Sequence, residues 1–190
     1  MEIEAENYTV AVMGAGTMGR GIAQVAASAG HPVMLYDVAE KHTQAAIEFI
    51  GQRLEVSFQK GKITENSKVQ VLKNIKPVHA LDELFKAHLI VEAVIEDLEI
   101  KQELFCGLES VLEAESILST NTSSLDLNKI VTNLKRPERF VGMHFFNPVP
   151  VMALVEIIHT AETDPRITEF VSQLVKKWGK FPVHVRNSPG

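Results

Sequence analysis

One cysteine, Cys106, is all that the 190 residues contain. That excludes an intramolecular disulfide and the usual cysteine-rich zinc patterns, and it fits a reducing compartment. No metal site is expected. No apolar run approaches the roughly 20 residues of a membrane span. No long basic run accompanies the formal net charge of −5, so neither nucleic acid nor an anionic membrane is expected as the main partner. The acidic opening Met1-Glu-Ile-Glu-Ala-Glu6 lacks the cationic and apolar segments of an export or mitochondrial signal, and a cytoplasmic protein is expected. Internal repeats, low-complexity tracts and Pro- or Ser-rich linkers are missing as well. What remains, with 45% hydrophobic residues, is enough for one domain over residues 1–190 that buries roughly 70% of its unfolded surface. A second full domain does not fit.

The most informative segment is Tyr8-Thr-Val-Ala-Val-Met-Gly-Ala-Gly-Thr-Met-Gly19, in which a short apolar strand runs into Gly14-x-Gly16-x-x-Gly19. In a dinucleotide-binding turn the first glycine lets the chain leave the strand sharply. The second lets backbone approach a pyrophosphate, and the third lets the next helix pack closely. The helix N-terminus then offers free N–H groups and a favourable dipole to the phosphates. An apolar helix (Ile22, Ala23, Val25, Ala26, Ala29), Gly30 and a second strand follow, ending in Asp37. A carboxylate there accepts from a ribose 2′-OH and repels a 2′-phosphate, so NAD is expected ahead of NADP.

Apolar strands are predicted at residues 10–13, 33–36, 89–94 and 117–120, with later strands at 140–144, 154–159 and 182–185. Their alternation with helices predicts an α/β fold of the Rossmann type, a doubly wound, mostly parallel sheet. One helix starts near Pro165 and closes at Trp178-Gly179, and another runs towards Leu112. Residues 40–74 read as two helical stretches joined near Gly61-Lys62-Ile63, a lysine-bearing hairpin projecting from the sheet. The chain stops at Asn187-Ser-Pro-Gly190, where Pro and Gly ordinarily turn the backbone into another element. The expectation is a truncated chain.

The second half places polar groups beyond strand ends, where such a sheet holds its ligand. Asn121-Thr-Ser-Ser124 follows one strand and His144-Phe-Phe-Asn-Pro-Val-Pro150 another. Glu156 stands among apolar neighbours, where a charge is costly without a partner. His144 is the candidate partner: a carboxylate on one ring nitrogen fixes the tautomer and leaves the other basic. Strand-end histidines are more often structural, however, and alternation alone would allow Glu156 to face solvent. Ser123 has an equally ordinary role available, capping the helix that starts near Asp126.

Five blocks carry a specific likeness: Gly14-Ala-Gly-Thr-Met-Gly19-Arg-Gly-Ile-Ala-Gln, Leu89-Ile-Val-Glu-Ala-Val-Ile-Glu96, Ser119-Thr-Asn-Thr-Ser-Ser124, Gly142-Met-His-Phe-Phe-Asn-Pro-Val-Pro-Val-Met152 and Ser188-Pro-Gly190. Together they resemble the L-3-hydroxyacyl-CoA dehydrogenase family over essentially the whole chain. The resemblance implies oxidation of 3-hydroxyacyl-CoA to 3-oxoacyl-CoA with NAD. It implies His144 as catalytic histidine, Glu156 as its orienting glutamate and Ser123 as the serine that binds the substrate hydroxyl. Implied cofactor contacts are Gly14, Ala15, Gly16, Thr17, Met18, Gly19, Asp37, Glu96, Lys101, Asn121 and Asn147. By sequence alone, Glu96 and Lys101 could equally be an exposed pair.

Lys60 matches a lysine with which the family's hairpin holds coenzyme A. Arg53 replaces a contacting serine found in some members, and Ala153 replaces a common lysine. Family members continue beyond Pro-Gly into a segment with a catalytic asparagine and a helical domain that completes the acyl pocket and the interface of a homodimer. Without these the chain is expected to bind NAD with little turnover. Another two-domain NAD-dependent hydroxyacid dehydrogenase and a non-catalytic NAD-binding module are the alternatives.

Overall fold

A computed structural model describes residues 8–187, so the acidic start and the closing Ser188-Pro-Gly190 block lie outside the described residues. Eight strands form one sheet: β1 (Val10–Met13), β2 (Val33–Tyr36), β3 (Ile75–Val78), β4 (Leu89–Glu92), β5 (Ile117–Thr120), β6 (Phe140–Phe145), β7 (Leu154–His159) and β8 (Phe181–Arg186). Their order is β3-β2-β1-β4-β5-β6-β7-β8. Every neighbouring pair is parallel except β6 with β7. The order reverses between β1 and β4, the crevice where an open α/β sheet takes its ligand.

Six α-helices accompany the sheet among the described residues: α1 (Thr17–Ser28), α2 (Glu40–Gln59), α3 (Glu65–Asn74), α4 (Leu98–Val111), α5 (Leu127–Ile130) and α6 (Pro165–Lys177). The central strands are apolar on both faces, as a sheet covered by helices on both sides requires. One core gathers Val10, Val12, Leu35 and Val91 with Ile22, Ala26, Ile50 and Val171, from α1, α2 and α6. The other sets Ala11, Met13, Ile90 and Leu118 against Phe105 and Leu108 of α4 and Leu127 and Ile130 of α5. Phe105 and Phe140 meet edge to face there, with ring centroids 5.0 Å apart.

Local chemistry fixes the boundaries. Asp97 and Asp164 cap α4 and α6, accepting from Ile100 N and Arg166 N, and Pro165 occupies the first turn of α6. Gly179, with φ of 71°, ends that helix as predicted. The predicted strand at 89–94 stops at Glu92: Ala93 N closes the ladder onto Met13 O, and Val94 N leaves it for the Glu92 side chain. The strands expected at 140–144 and 182–185 each extend to six residues. The 40–74 segment is the expected hairpin. Its base packs through Ala46, Ile50, Leu54 and Val71, while Lys60, Gly61 and Lys62 at the turn are exposed.

Candidate active site

Each glycine of the loop has its own steric reason. Gly14 sits at φ of 98°, and a Cβ there would come within 2.6 Å of Ala93 O. At Gly19 a Cβ would lie 1.8 Å from Gly14 O, so that glycine lets the first turn of α1 close against the loop itself. At Gly16 a Cβ would meet no described protein atom within 4 Å. Gly16 is also the N-cap of α1, without a side-chain cap and with no acid in the first turn. The helix therefore offers its free amides to open space, which fits a pyrophosphate.

Asp37 is built into the same corner. Its Oδ2 accepts from Ala15 N at 2.8 Å, and its Oδ1 accepts from Ala39 N at 3.0 Å and pairs with His42 Nδ1 at 2.9 Å. Burial alone would raise the Asp37 pKa; the donors at Ala15, Ala39 and His42 outweigh it and hold the carboxyl below its ordinary range. Three of about four lone-pair sites are used, which leaves acceptor capacity for a ribose hydroxyl. The sequence reading missed His42, an ordinary helix residue by its neighbours.

Behind the loop, a cleft of about 380 Å³ is lined by Met18, Glu96, Lys101, Asn121, Ser123, His144 and Asn147, among others. It brings together expected cofactor residues from four separate stretches of chain. Lys101 is not an exposed partner of Glu96: its side chain is 1% accessible and lies 2.5 Å from Glu92 Oε1, which is wholly buried. Glu92 also accepts from Thr120 Oγ1 at 2.6 Å and Val94 N at 2.7 Å. A buried pair needs such extra donors to offset desolvation. Glu96 lies 3.3 Å from Lys101 and accepts from the Thr122 hydroxyl, from Ser124 Oγ at 3.0 Å and from Ser123 N at 3.3 Å. Burial works to raise the Glu96 pKa, but Thr122, Lys101 and Ser124 together lower it. Glu92 was not foreseen, although an acid ending the apolar run Leu-Ile-Val was a legible signal.

His144 and Glu156 face each other directly across the β6–β7 ladder. His144 Nδ1 is 2.8 Å from Glu156 Oε2, so a neutral imidazole with Nδ1–H donates to the carboxylate. Nε2 makes no hydrogen bond to the described residues. His144 lines the 380 Å³ cleft and also a second one of about 260 Å³, with Ser123, Glu156, Arg186 and Asn187. Ser123 is exposed on both clefts, and Asp126, not Ser123, caps α5. Asn121 Oδ1 accepts from Phe145 N at 2.8 Å.

The turn after β6 is clamped from two sides. A Cβ on Gly21 of α1 would strike Val149, while Lys180 Nζ donates to Val149 O at 2.6 Å and Met152 O at 2.8 Å. Between this turn, α1 and the hairpin runs a groove of about 870 Å³, whose cations include Arg20, Arg53, Lys62 and Lys177. Arg20 stacks on Phe49, 3.8 Å from the ring centroid. Lys60 does not line the groove; it caps the C-terminal end of α2.

A switch-point cleft beside a Gly-rich turn, with an acid held against that turn and a carboxylate-bound histidine on the cleft wall, is the arrangement of a dinucleotide-binding dehydrogenase domain. Residues 9–188 match the family described as 3-hydroxyacyl-CoA dehydrogenase, NAD binding domain, and the chain belongs to that family of NAD-dependent oxidoreductases. It is 44% identical over 182 residues to 3-hydroxyadipyl-CoA dehydrogenase of Escherichia coli K12, covering 96% of this chain and 38% of that protein. It is 39% identical over 181 residues to 3-hydroxybutyryl-CoA dehydrogenase of Clostridioides difficile, covering 95% and 64% respectively. The crystal structure of (S)-3-hydroxybutyryl-CoA dehydrogenase PaaH1 from Ralstonia eutropha superposes with a TM-score of 0.94 at 38% identity, covering 97% of this chain and 65% of that one. The chain thus spans between about two fifths and two thirds of the length of these relatives.

Proposed function

We propose that the whole protein oxidises (3S)-3-hydroxyacyl-CoA to 3-oxoacyl-CoA with NAD, with His144 as general base. The observation that carries this reading is the 2.8 Å contact from Glu156 to Nδ1, which leaves Nε2 free where the two clefts meet. In this role Nε2 takes the proton of the 3-hydroxyl. Glu156 holds the tautomer and steadies the imidazolium that results. Ser123, exposed on the same wall, donates to the oxygen as it loses its proton. Bound NAD supplies the hydride acceptor at the substrate carbon. Gly14, Ala15, Gly16, Thr17, Met18 and Gly19 would hold its pyrophosphate, Asp37 its adenosine ribose, and Glu96, Lys101, Asn121 and Asn147 its nicotinamide half.

The substrate class is supported by relatives whose names specify hydroxyadipyl- and hydroxybutyryl-CoA, and by the fatty acid oxidation complex subunit alpha of Pseudomonas entomophila, 35% identical over 189 residues. The cation-lined groove suits the phosphate-bearing part of coenzyme A, and Lys60, at the exposed turn of the same hairpin, is the second candidate contact. We place the whole enzyme in the cytoplasm as a homodimer whose further, helical domain closes the acyl pocket. No helix among the described residues is long and apolar enough to cross a membrane.

The 190 residues alone should then bind NAD and turn over acyl-CoA poorly, since misplacing reacting groups by about 1 Å already costs 10²-fold. The test pairs calorimetric NAD binding with an acetoacetyl-CoA and NADH assay on this chain. Binding without turnover is expected; a kcat equal to that of a full-length relative would overturn the claim of incompleteness.

A further inference from the structure

We propose that Glu96 sets how strongly this site discriminates oxidised from reduced cofactor, because its carboxylate charge is not cancelled by its buried neighbours. The inference rests on reading the 380 Å³ cleft as the nicotinamide site. NAD+ and NADH share their pyrophosphate, riboses and adenine, so the helix N-terminus and Asp37 act on both alike. The two forms differ in the ring, which carries a positive charge only when oxidised. A protein distinguishes them electrostatically only through charges close to that ring.

The charges around the cleft do not balance. Glu92 and Lys101 lie 2.5 Å apart, both shut off from solvent, and form a neutral pair. Glu96 is the third member, 3.3 Å from the same ammonium, and it has no second cation among the described residues. It lines the cleft and is 38% accessible. Two carboxylates, Glu92 and Glu96, thus share the single Lys101 ammonium, and Glu96 is the one that lines the cleft, an imbalance that favours a cationic ring.

Glu96 is ionised at neutral pH on separate grounds. Its hydroxyl donors Thr122 and Ser124 and the amide of Ser123 all point at Oε1, a set that suits a carboxylate acceptor. The same contacts make Glu96 a hub for the turn that carries Ser123, so a substitution has a positional effect as well as an electrostatic one. The two effects separate by ligand: loss of position weakens both redox forms, and loss of charge weakens only the cation.

The experiment measures dissociation constants of NAD+, NADH and ADP-ribose by calorimetry at pH 7 for the unsubstituted protein, Glu96→Gln and Glu96→Asp. At a half-exposed site, removing one charge several ångströms from a unit charge is worth about tenfold in binding. Glu96→Gln should therefore weaken NAD+ about tenfold relative to NADH, with ADP-ribose following NADH. Glu96→Asp keeps the charge and should keep the ratio, whatever it does to the absolute affinities. Equal changes for NAD+ and NADH in Glu96→Gln, no change in either, or the same altered ratio in Glu96→Asp would overturn the proposal. An unsubstituted protein that binds NAD+ and NADH tightly but shows none of these shifts keeps the cofactor reading and loses only this one. Failure to bind any of the three ligands removes the cofactor reading and this inference with it.

Discussion

His144 and Glu156 are direct cross-strand partners, with Nδ1 and Oε2 2.8 Å apart. The pair predicts a split between chemistry and binding. In the full-length enzyme, His144→Gln should lower kcat by about 10²–10⁴-fold, the usual worth of a general base, far more than it weakens NAD binding. Glu156→Gln should give a smaller loss of kcat. Steady-state kinetics beside calorimetric titration checks both; a matching loss of NAD affinity would return His144 to a structural role.

Gly16 and Gly19 should respond in opposite ways to the same added methyl group. At Gly16 no described protein atom is within 4 Å of the added carbon, so Gly16→Ala should fold with unchanged stability and lose NAD affinity. At Gly19 the methyl would lie 1.8 Å from Gly14 O, so Gly19→Ala should lower the melting temperature as well. Thermal melts with and without NAD separate the two.

Asp37 carries a cofactor prediction and a pH prediction. NAD should bind well ahead of NADP, and Asp37→Asn should narrow the gap; equal affinities in the unsubstituted protein would sink the assignment. Its pKa is lowered on folding, burial being outweighed by Ala15, Ala39 and His42. A group depressed in this way stabilises the fold above its unfolded value of about 4 and loses that contribution as pH falls through the folded value. The stability difference between the unsubstituted protein and Asp37→Asn should therefore be full at neutral pH and shrink below about pH 4 in denaturant titrations.

The Glu92–Lys101 pair should be expensive to break from one side. Lys101→Met strands a wholly buried carboxylate, and the expected cost is about 3–5 kcal/mol. Changing both, with Glu92→Gln beside Lys101→Met, should recover much of it. Urea unfolding of the two variants checks this, and equal losses would mean the pair is not the source.

The groove separates two candidate coenzyme A contacts. Lys60→Ala in the full-length enzyme should raise KM for the CoA substrate and leave that for NAD alone. Arg53→Ala, which removes a cation from the groove itself, should raise it further. If neither moves KM, the hairpin charges are a solvated surface.

Most of this architecture was legible because its signals are local. The run Val10–Met13 into Gly14, the acid at 37 and the Trp178-Gly179 stop each depend on a few adjacent residues, and the sheet class followed from their succession. β3 was not legible: Ile75-Lys-Pro-Val78 is short, and its proline removes a ladder donor. Such a segment becomes a strand only at a sheet edge, beside β2. The reversal at β7 was hidden as well, since it depends on the turn after Phe145 folding back onto β6. In the cleft the missing piece was Glu92. Its burial reads as improbable until Lys101, nine residues on, and Thr120, from the neighbouring strand, are brought around it beside the adjacent Val94 N.

The reversal at β7 has an engineering consequence. Facing residues of an antiparallel ladder hold their Cβ atoms about 4.5–5.5 Å apart, so the spacing of His144 and Glu156 is inherited from strand pairing and owes nothing to the tip of the connecting turn. Residues around Val151, exposed at that tip, could be exchanged or lengthened to reshape the mouth of the groove while the ladder keeps the His144–Glu156 pair in register. The groove and the His144–Glu156 pair are thus separable parts of the fold joined by two strands.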